Sequence, residues 1–351
     1  MSDSASPART VSWADPDRHA AFEAWLAPIA RARGLRIDSL QPASADASFR
    51  RYLRVQSATD SFIVMDAPPP QEDVRPFVHI AGLIDAAGLH APQVLECDPA
   101  QGFLLLTDLG NSLYLDRLRD DPGAQAERLM RDAEQALVRF QQGVDPSTLP
   151  PYDAALLQRE LDLFPDWCVA REFGITWTEA QRTRWQQLCD TLIGSALAQP
   201  TVAVHRDYMP RNLMVADPNP GILDFQDAVR GPITYDVASL LRDAFLSWDE
   251  EREIDWAVRY WEQARRAALP VGDDFGEFWR QVEWMGLQRH LKVLGIFCRL
   301  KHRDGKARYA EDLPRFFAYA TKVATRYVQL RPLLPLIEPM SGSMVEAGYT
   351  F

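Results

Sequence analysis

Residues 204–227 read VHRDYMPRNLMVADPNPGILDFQD, and they set His205, Arg206, Asp207, Asn212, Asp224 and Asp227 into an otherwise apolar passage. Residues 213–215 and 222–223 read as two short apolar strands. The ADPNPG segment between them is dense in turn formers, so the passage predicts a hairpin. Folding it sets Asn212 and Asp224 side by side at the open end. The 205–212 loop enters at that same end and brings Asp207, while Asp227 adds a third carboxylate. An oxygen-only donor set of this kind suits Mg2+, a hard cation that takes few protein ligands and completes its shell with phosphate oxygens and water. Asp207, not needed as a ligand, can accept a proton from a substrate hydroxyl. Taken singly, each of these residues reads more simply as a loop cap or Asx turn. The constellation favours chemistry.

Working outward, residues 16–33 carry Phe22, Trp25, Leu26 and Ile29 at helical spacing, and residues 35–70 alternate into three antiparallel strands that end at the triple proline 68–70. A helix over 74–87 and two strands near QVLEC and GFLLLTDLG follow, with Gly110 and Asn111 as a joint. Nearly everything beyond is helical apart from the hairpin. The expected architecture is α+β with two lobes: an N-lobe over 1–106, a hinge at 107–111, a helical C-lobe over 112–335 and a loosely held tail over 336–351. The 351 residues are 47% hydrophobic and 25% charged, as in ordinary globular proteins. A net charge of -11 argues against nucleic acid or an anionic membrane as partner. Cys97, Cys168, Cys189 and Cys298 are scattered without a CxxC pair, which speaks against a disulfide framework or zinc site and fits the cytoplasm. The N-terminal residues form no signal peptide, and no apolar run approaches the ~20 residues of a membrane span. Nothing indicates an obligate protein partner.

HRDYMPRN followed by ILDFQD resembles the catalytic and metal-binding loops of the aminoglycoside phosphotransferase and choline kinase superfamily, relatives of the protein kinases. The resemblance implies ATP and Mg2+ as cofactors, Asp207 as catalytic base, and Asn212 and Asp224 as metal ligands. It makes His205 a structural support, and it lets Arg206 be either part of the loop or a surface ion pair. In GPITYDVASLLRD, Asp236 is expected to brace the catalytic loop or to cap a helix over 237–246. Arg211 is a candidate to assist transfer, or else a solvated loop arginine.

The same resemblance implies an ATP clamp in the N-lobe. FLLLTDLG, with Leu106 and Leu109, would be the adenine-side hinge. PASADASFRRY, with Ser44 and Ser48 among its small residues, would pass over the phosphates, although it holds no glycine. The third-strand lysine of such kinases is missing: its place falls on Met65 or Asp66, and no lysine precedes Lys292. Arg51 and Arg54 are the expected replacements, at most one of them pointing inward, and Arg51 is preferred. The partner glutamate is not evident, although Glu72 and Asp73 precede the helix. The missing lysine also leaves a catalytically silent nucleotide-binding scaffold as an alternative.

For the acceptor, Leu156, Glu160, Phe164 and Trp167 have helical spacing. Glu160 and Trp167 are candidate substrate residues, with core packing the default for the aromatics. Arg289, Lys292 and Arg299 share a helical face that is either solvated or, at Arg289, an anchor for an acceptor carboxylate. SADASFRRYLRV, FIVMDAPPP, ITYDVASLLRD and GLQRHLKVLGIFCRL together are similar to bacterial anomeric amino-sugar kinases of cell-wall recycling, which phosphorylate the C1 hydroxyl of N-acetylmuramate and N-acetylglucosamine. A small-molecule amino sugar is the implied substrate. A kinase for an aminoglycoside, choline or homoserine is the alternative within the superfamily.

Overall fold

A computed structural model describes residues 11–44 and 49–341. The chain divides into two units: residues up to Tyr114 together with Asn212–Asp227, and Leu115–Arg211 together with the chain from Ala228 onward. By packing, therefore, the hairpin that carries Asn212 and Asp224 goes with the sheet-bearing unit.

In the first unit, α1 (Pro16–Arg33) starts where the Asp15 carboxylate accepts the Asp17 and Arg18 amides, and stops at Gly34 in the left-handed region. Five strands follow, β1 (Arg36–Ser44), β2 (Arg51–Gln56), β3 (Ser61–Asp66), β4 (Val94–Asp98) and β5 (Phe103–Thr107), with α2 (Arg75–Ala86) between β3 and β4. They form one antiparallel sheet in the order β1-β2-β3-β5-β4. The three strands expected within 35–70 are therefore present. Phe22, Leu26 and Ala30 of α1 bury against Leu53, Val55, Val64, Phe103 and Leu105 of the sheet. Gly102, which leads into β5, is irreplaceable on space: a Cβ there would sit 1.9 Å from the Ala67 carbonyl oxygen, and its φ is +72°.

The second unit is helical: α3 (Tyr114–Asp120), α4 (Ala124–Gly143), α5 (Ala154–Leu161), α6 (Glu179–Leu197), α7 (Tyr235–Leu241), α8 (Glu250–Arg266), α9 (Phe275–Asp304), α10 (Leu313–Arg326) and α11 (Leu334–Ser341). Thr201–Val204 pairs antiparallel with Val229–Pro232. Three details differ from expectation. The helix expected over 237–246 begins two residues earlier and ends at Leu241. Phe164–Glu172 is a π-helix, so the even α-helical spacing from Leu156 to Trp167 does not persist. The start of the expected loose tail is ordered, because α11 buries Leu336, Ile337 and Met340, and residues 342–351 lie outside the described residues. Gly295 lets α9 pass the turn before the π-helix, since a Cβ there would meet the Leu163 backbone at 2.4 Å. Among the described residues, no helix is long and apolar enough to cross a membrane.

Candidate active site

In the first unit the hairpin forms as its turn residues dictate, with Leu213 opposite Ile222 and Met214 opposite Gly221. It is sewn to its own unit by backbone bonds from Ile222 N to His90 O and from Val215 N to Ser112 O, both 2.7 Å. At the open end the Asn212 amide nitrogen donates to Asp224 Oδ2 over 3.4 Å, and the Gln226 amide donates to Asp224 Oδ1 at 2.9 Å. Asp224 has φ +60°, a left-handed conformation that costs a non-glycine residue about 1–3 kcal/mol and clusters at functional sites. The ring of the next residue, Phe225, is fully buried and lies 4.7 Å from Phe77 of α2, which anchors the backbone beside Asp224. Among the described residues, no three His, Cys, Asp or Glu side chains gather into a metal-binding group. Asn212 and Asp224 thus offer one amide and one carboxylate with no sulfur or imidazole, a set that fits Mg2+ completed by phosphate and water and fits zinc poorly.

The second unit holds the loop of Asp207, and the loop is pinned along its backbone. The fully buried Asp236 carboxylate accepts the His205 amide at 2.6 Å and the Arg206 amide at 3.0 Å. It therefore braces the loop. The alternative of a helix cap does not hold, because α7 begins after Thr234 with no side-chain cap bond. Burial pushes the Asp236 carboxyl up to about 7, against the pull of those two amides and of Arg289. His205, buried among Phe140 and Tyr208, offers Nδ1 to the Asp207 amide at 3.3 Å. These contacts fix where its ring sits. Tyr208 donates its hydroxyl to the Ala133 carbonyl at 2.8 Å. Arg206 takes φ +76°, the second such strained residue here.

Beneath the loop lies a buried polar cluster. Glu160, 5% exposed, accepts Arg206 Nη2 at 2.6 Å, Lys292 Nζ at 2.8 Å and Gln288 Nε2 at 3.2 Å, and also the Tyr152 hydroxyl. Burial alone would raise its carboxyl, but Lys292 and then Arg206 outweigh that and hold it at about 2. Arg206 is thus no surface ion pair. Lys292 also donates to the Tyr235 hydroxyl at 3.1 Å. Arg289 donates Nη1 to the Arg206 carbonyl at 2.8 Å and lies over the Tyr235 ring. Sequence reasoning split these side chains between an acceptor surface and a solvated stripe. In the fold Glu160, Arg289 and Lys292 are buried, and only Arg299 of the stripe keeps partial exposure. Tyr152 and Gln288 were missed; their only sequence signal is their position near Glu160 and Arg289.

The remaining expected residues scatter. Trp167 is half-buried in the π-helix. Arg211 is exposed, its guanidinium 5.0 Å from the Phe245 ring centre and bonded to Tyr309. Leu106 is buried inside β5, opposite Ile63 and Val94. Leu109, beyond the strand, lies against Gly221, where a Cβ would approach it to 2.8 Å. Ser48 lies outside the described residues, and Ser44 ends β1. Both expected arginines are engaged away from Asn212 and Asp224. Arg51 donates Nε to Asp66 at 3.0 Å and lies 4.0 Å over the Trp13 ring. Arg54 grips Asp108 through Nε at 2.5 Å and Nη2 at 2.9 Å, and bonds the Gly110 carbonyl. Register is the reason: pairing Arg51 with Asp66 across β2 and β3 directs the first to that carboxylate, while the second lands on the segment after β5.

Residues 39–275 match the model of a family described as phosphotransferase enzymes. A Pseudomonas putida protein named N-acetylmuramate/N-acetylglucosamine kinase is 54% identical over 304 residues, 87% of this chain and 89% of its own length. A protein of the same name from Pseudomonas aeruginosa is 53% identical over 298 residues, 85% of this chain and 87% of its own. Among solved structures, the choline kinase LicA from Streptococcus pneumoniae superposes with a TM-score of 0.61 at 10% identity, covering 87% of this chain and 99% of that one. The ADP-bound aminoglycoside phosphotransferase APH(2'')-Ib gives 0.56 at 13% identity, covering 86% and 96%. The fold is therefore the α+β fold of the aminoglycoside phosphotransferases and choline kinases.

Proposed function

The chain belongs to the phosphotransferase enzyme family, and on that premise we propose that it is an ATP-dependent amino-sugar kinase. It phosphorylates the anomeric C1 hydroxyl of N-acetylmuramate and N-acetylglucosamine released in peptidoglycan recycling, and works in the cytoplasm. The observation that carries the reading is the Asp207 loop, braced by Asp236 at two amides and running directly into Asn212 of the Asn212–Asp224 pair. Relatives that are more than half identical to this chain over the aligned residues are named N-acetylmuramate/N-acetylglucosamine kinase.

In this reading Asp207 orients the sugar hydroxyl and takes its proton as the oxygen bonds to the γ-phosphorus and ADP leaves. Asn212 and Asp224 would hold Mg2+, which supplies positive charge at the phosphates. Arg211 is exposed at the end of the loop, where it can add charge to the transferred group. Arg289 steadies the loop through the Arg206 carbonyl, and Trp167 remains the candidate sugar platform. Phosphoryl transfer asks the protein chiefly for positioning and charge, and the bracing of the loop is suited to the first.

ADP release should be measured over a panel of N-acetylmuramate, N-acetylglucosamine, choline and an aminoglycoside. The two amino sugars should be the preferred acceptors. Asp207→Asn should lower kcat on them by about 10²- to 10⁴-fold while leaving the KM for ATP near its original value. A variant with full activity rules out the assigned base, and preference for choline or the aminoglycoside rules out the acceptor.

A further inference from the structure

A nucleotide triphosphate brings several negative charges to a site that already holds two aspartates, so a protein cation must meet them. The first unit holds no lysine, so a permanently charged cation that it supplies is an arginine. The first unit's candidates can be sorted by their partners. Arg18 and Arg51 share Asp66. Arg54 is held by Asp108 and Gly110. Arg33 is on Glu96, and Arg75 on Asp73. Arg50 differs. It stands immediately before β2, where the ladder with β3 has not yet begun. Its Nε lies 3.3 Å from Glu72 Oε2, and the two side chains keep only 14% and 17% of their exposure. Burial works against its charge, but Tyr52, Glu72, Asp224 and Asp227 more than restore it. The pair also ties Arg50 to the segment leading into α2, the helix whose Phe77 ring packs 4.7 Å from Phe225, the residue beside Asp224.

We infer that Arg50, held on Glu72, is the cation that receives the nucleotide's phosphates in place of a strand lysine. The inference rests on the kinase reading above and deepens it. Glu72 is the positioning residue: it stands between β3 and α2, its amide bonded to the Pro68 carbonyl at 3.1 Å, and it keeps the long arginine stem from swinging away. An arginine suits the task because its planar fork can donate two parallel bonds to phosphate oxygens, which a lysine cannot. Attraction to Asp224 and Asp227 also favours the charged guanidinium before the nucleotide arrives. The competing account is a structural ion pair that only ties the entry of β2 to the segment before α2.

Binding separates the two accounts without relying on turnover. Calorimetric titration of the full chain with Mg·ADP and with adenosine distinguishes phosphate recognition from recognition of the nucleoside. Arg50→Ala should weaken Mg·ADP by about 10- to 100-fold and leave adenosine within about twofold. The rise in Tm given by Mg·ADP should vanish in that variant while the rise given by adenosine stays. Arg50→Lys should recover part of the Mg·ADP affinity, and Glu72→Gln should lose less than Arg50→Ala. Arg50→Gln carries the same comparison should the alanine variant not fold. Unchanged Mg·ADP affinity in the variant, or parallel loss of adenosine, overturns the inference in favour of the structural pair. An unsubstituted chain that binds no Mg·ADP overturns the kinase reading itself, and the inference with it.

Discussion

Asp66 in the first unit and Glu160 in the second are both almost wholly buried carboxylates, 1% and 5% exposed, and each holds two cations. Asp66 holds Arg18 of α1 and Arg51 of β2. Glu160 holds Arg206 and Lys292. The chemistry is the same, yet what hangs from it is not. Arg18 and Arg51 tie a helix to the end of a sheet, so the Asp66 cluster maintains a scaffold. Arg206 is the residue before Asp207 and strains into φ +76°, so the Glu160 cluster holds the loop of Asp207, the proposed base. A buried ion pair is weak evidence of stabilisation in itself. Its meaning depends on which backbone its members belong to.

Three measurements sharpen or break that contrast. The largest effect belongs to Asp236, a third buried carboxylate, which holds backbone amides of the loop directly. Asp236→Ala leaves the His205 and Arg206 amides unpaired, at about 1–3 kcal/mol each, and frees the loop to shift. The kcat should fall about 10²-fold with the KM for ATP little changed, and a variant with the original kcat would show that the brace is dispensable.

Second comes the pair Glu160→Gln and Asp66→Asn. Both should lower Tm, but only the Glu160 substitution should also lower kcat when assayed well below Tm. Equal kcat values for the two would erase the contrast. Glu160 adds a pH signature. Its folded value of about 2 lies below the ordinary 4.5, so the stability it lends is complete above about pH 4.5 and drains away as the pH falls toward 2. The Tm gap between the unsubstituted chain and Glu160→Gln should therefore be widest near neutral pH and close across that acid window. A gap that stays constant down to pH 2 refutes the assignment.

The smallest effect is expected at Arg51, whose side chain is 37% exposed. Asp66 keeps Arg18 when Arg51 is removed, so Arg51→Ala should cost about 1 kcal/mol, read as a few degrees of Tm. A loss as great as that of Asp66→Asn would show that the outer arginine, not the inner one, carries the cluster.

Much of this molecule is local and therefore readable along the chain. The proline-, asparagine- and glycine-rich turn at 216–221 and the apolar strands beside it decided the hairpin, and with it the meeting of Asn212 and Asp224. Alternation over 35–70 decided three strands. The spacing of Phe22, Trp25, Leu26 and Ile29 decided the first helix. What stayed hidden was the destination of long charged side chains. An arginine reaches far beyond its Cα, so its partner depends on strand register and on which elements pack nearby. The ladder that sets Arg51 opposite Asp66 removed the expected phosphate cation and left the neighbouring Arg50 with Glu72. Likewise, a face carrying Arg289, Lys292 and Arg299 looks solvated on a helical wheel. Only the packing of α9 near α5 and the Asp207 loop supplied Glu160, Tyr235 and the Arg206 carbonyl that make burial of the first two tolerable. Residue type and spacing thus determined the chemistry available to this protein. Its tertiary structure decided which charges face the reaction and which hold the frame, because desolvated charges go where partners from distant segments can meet them.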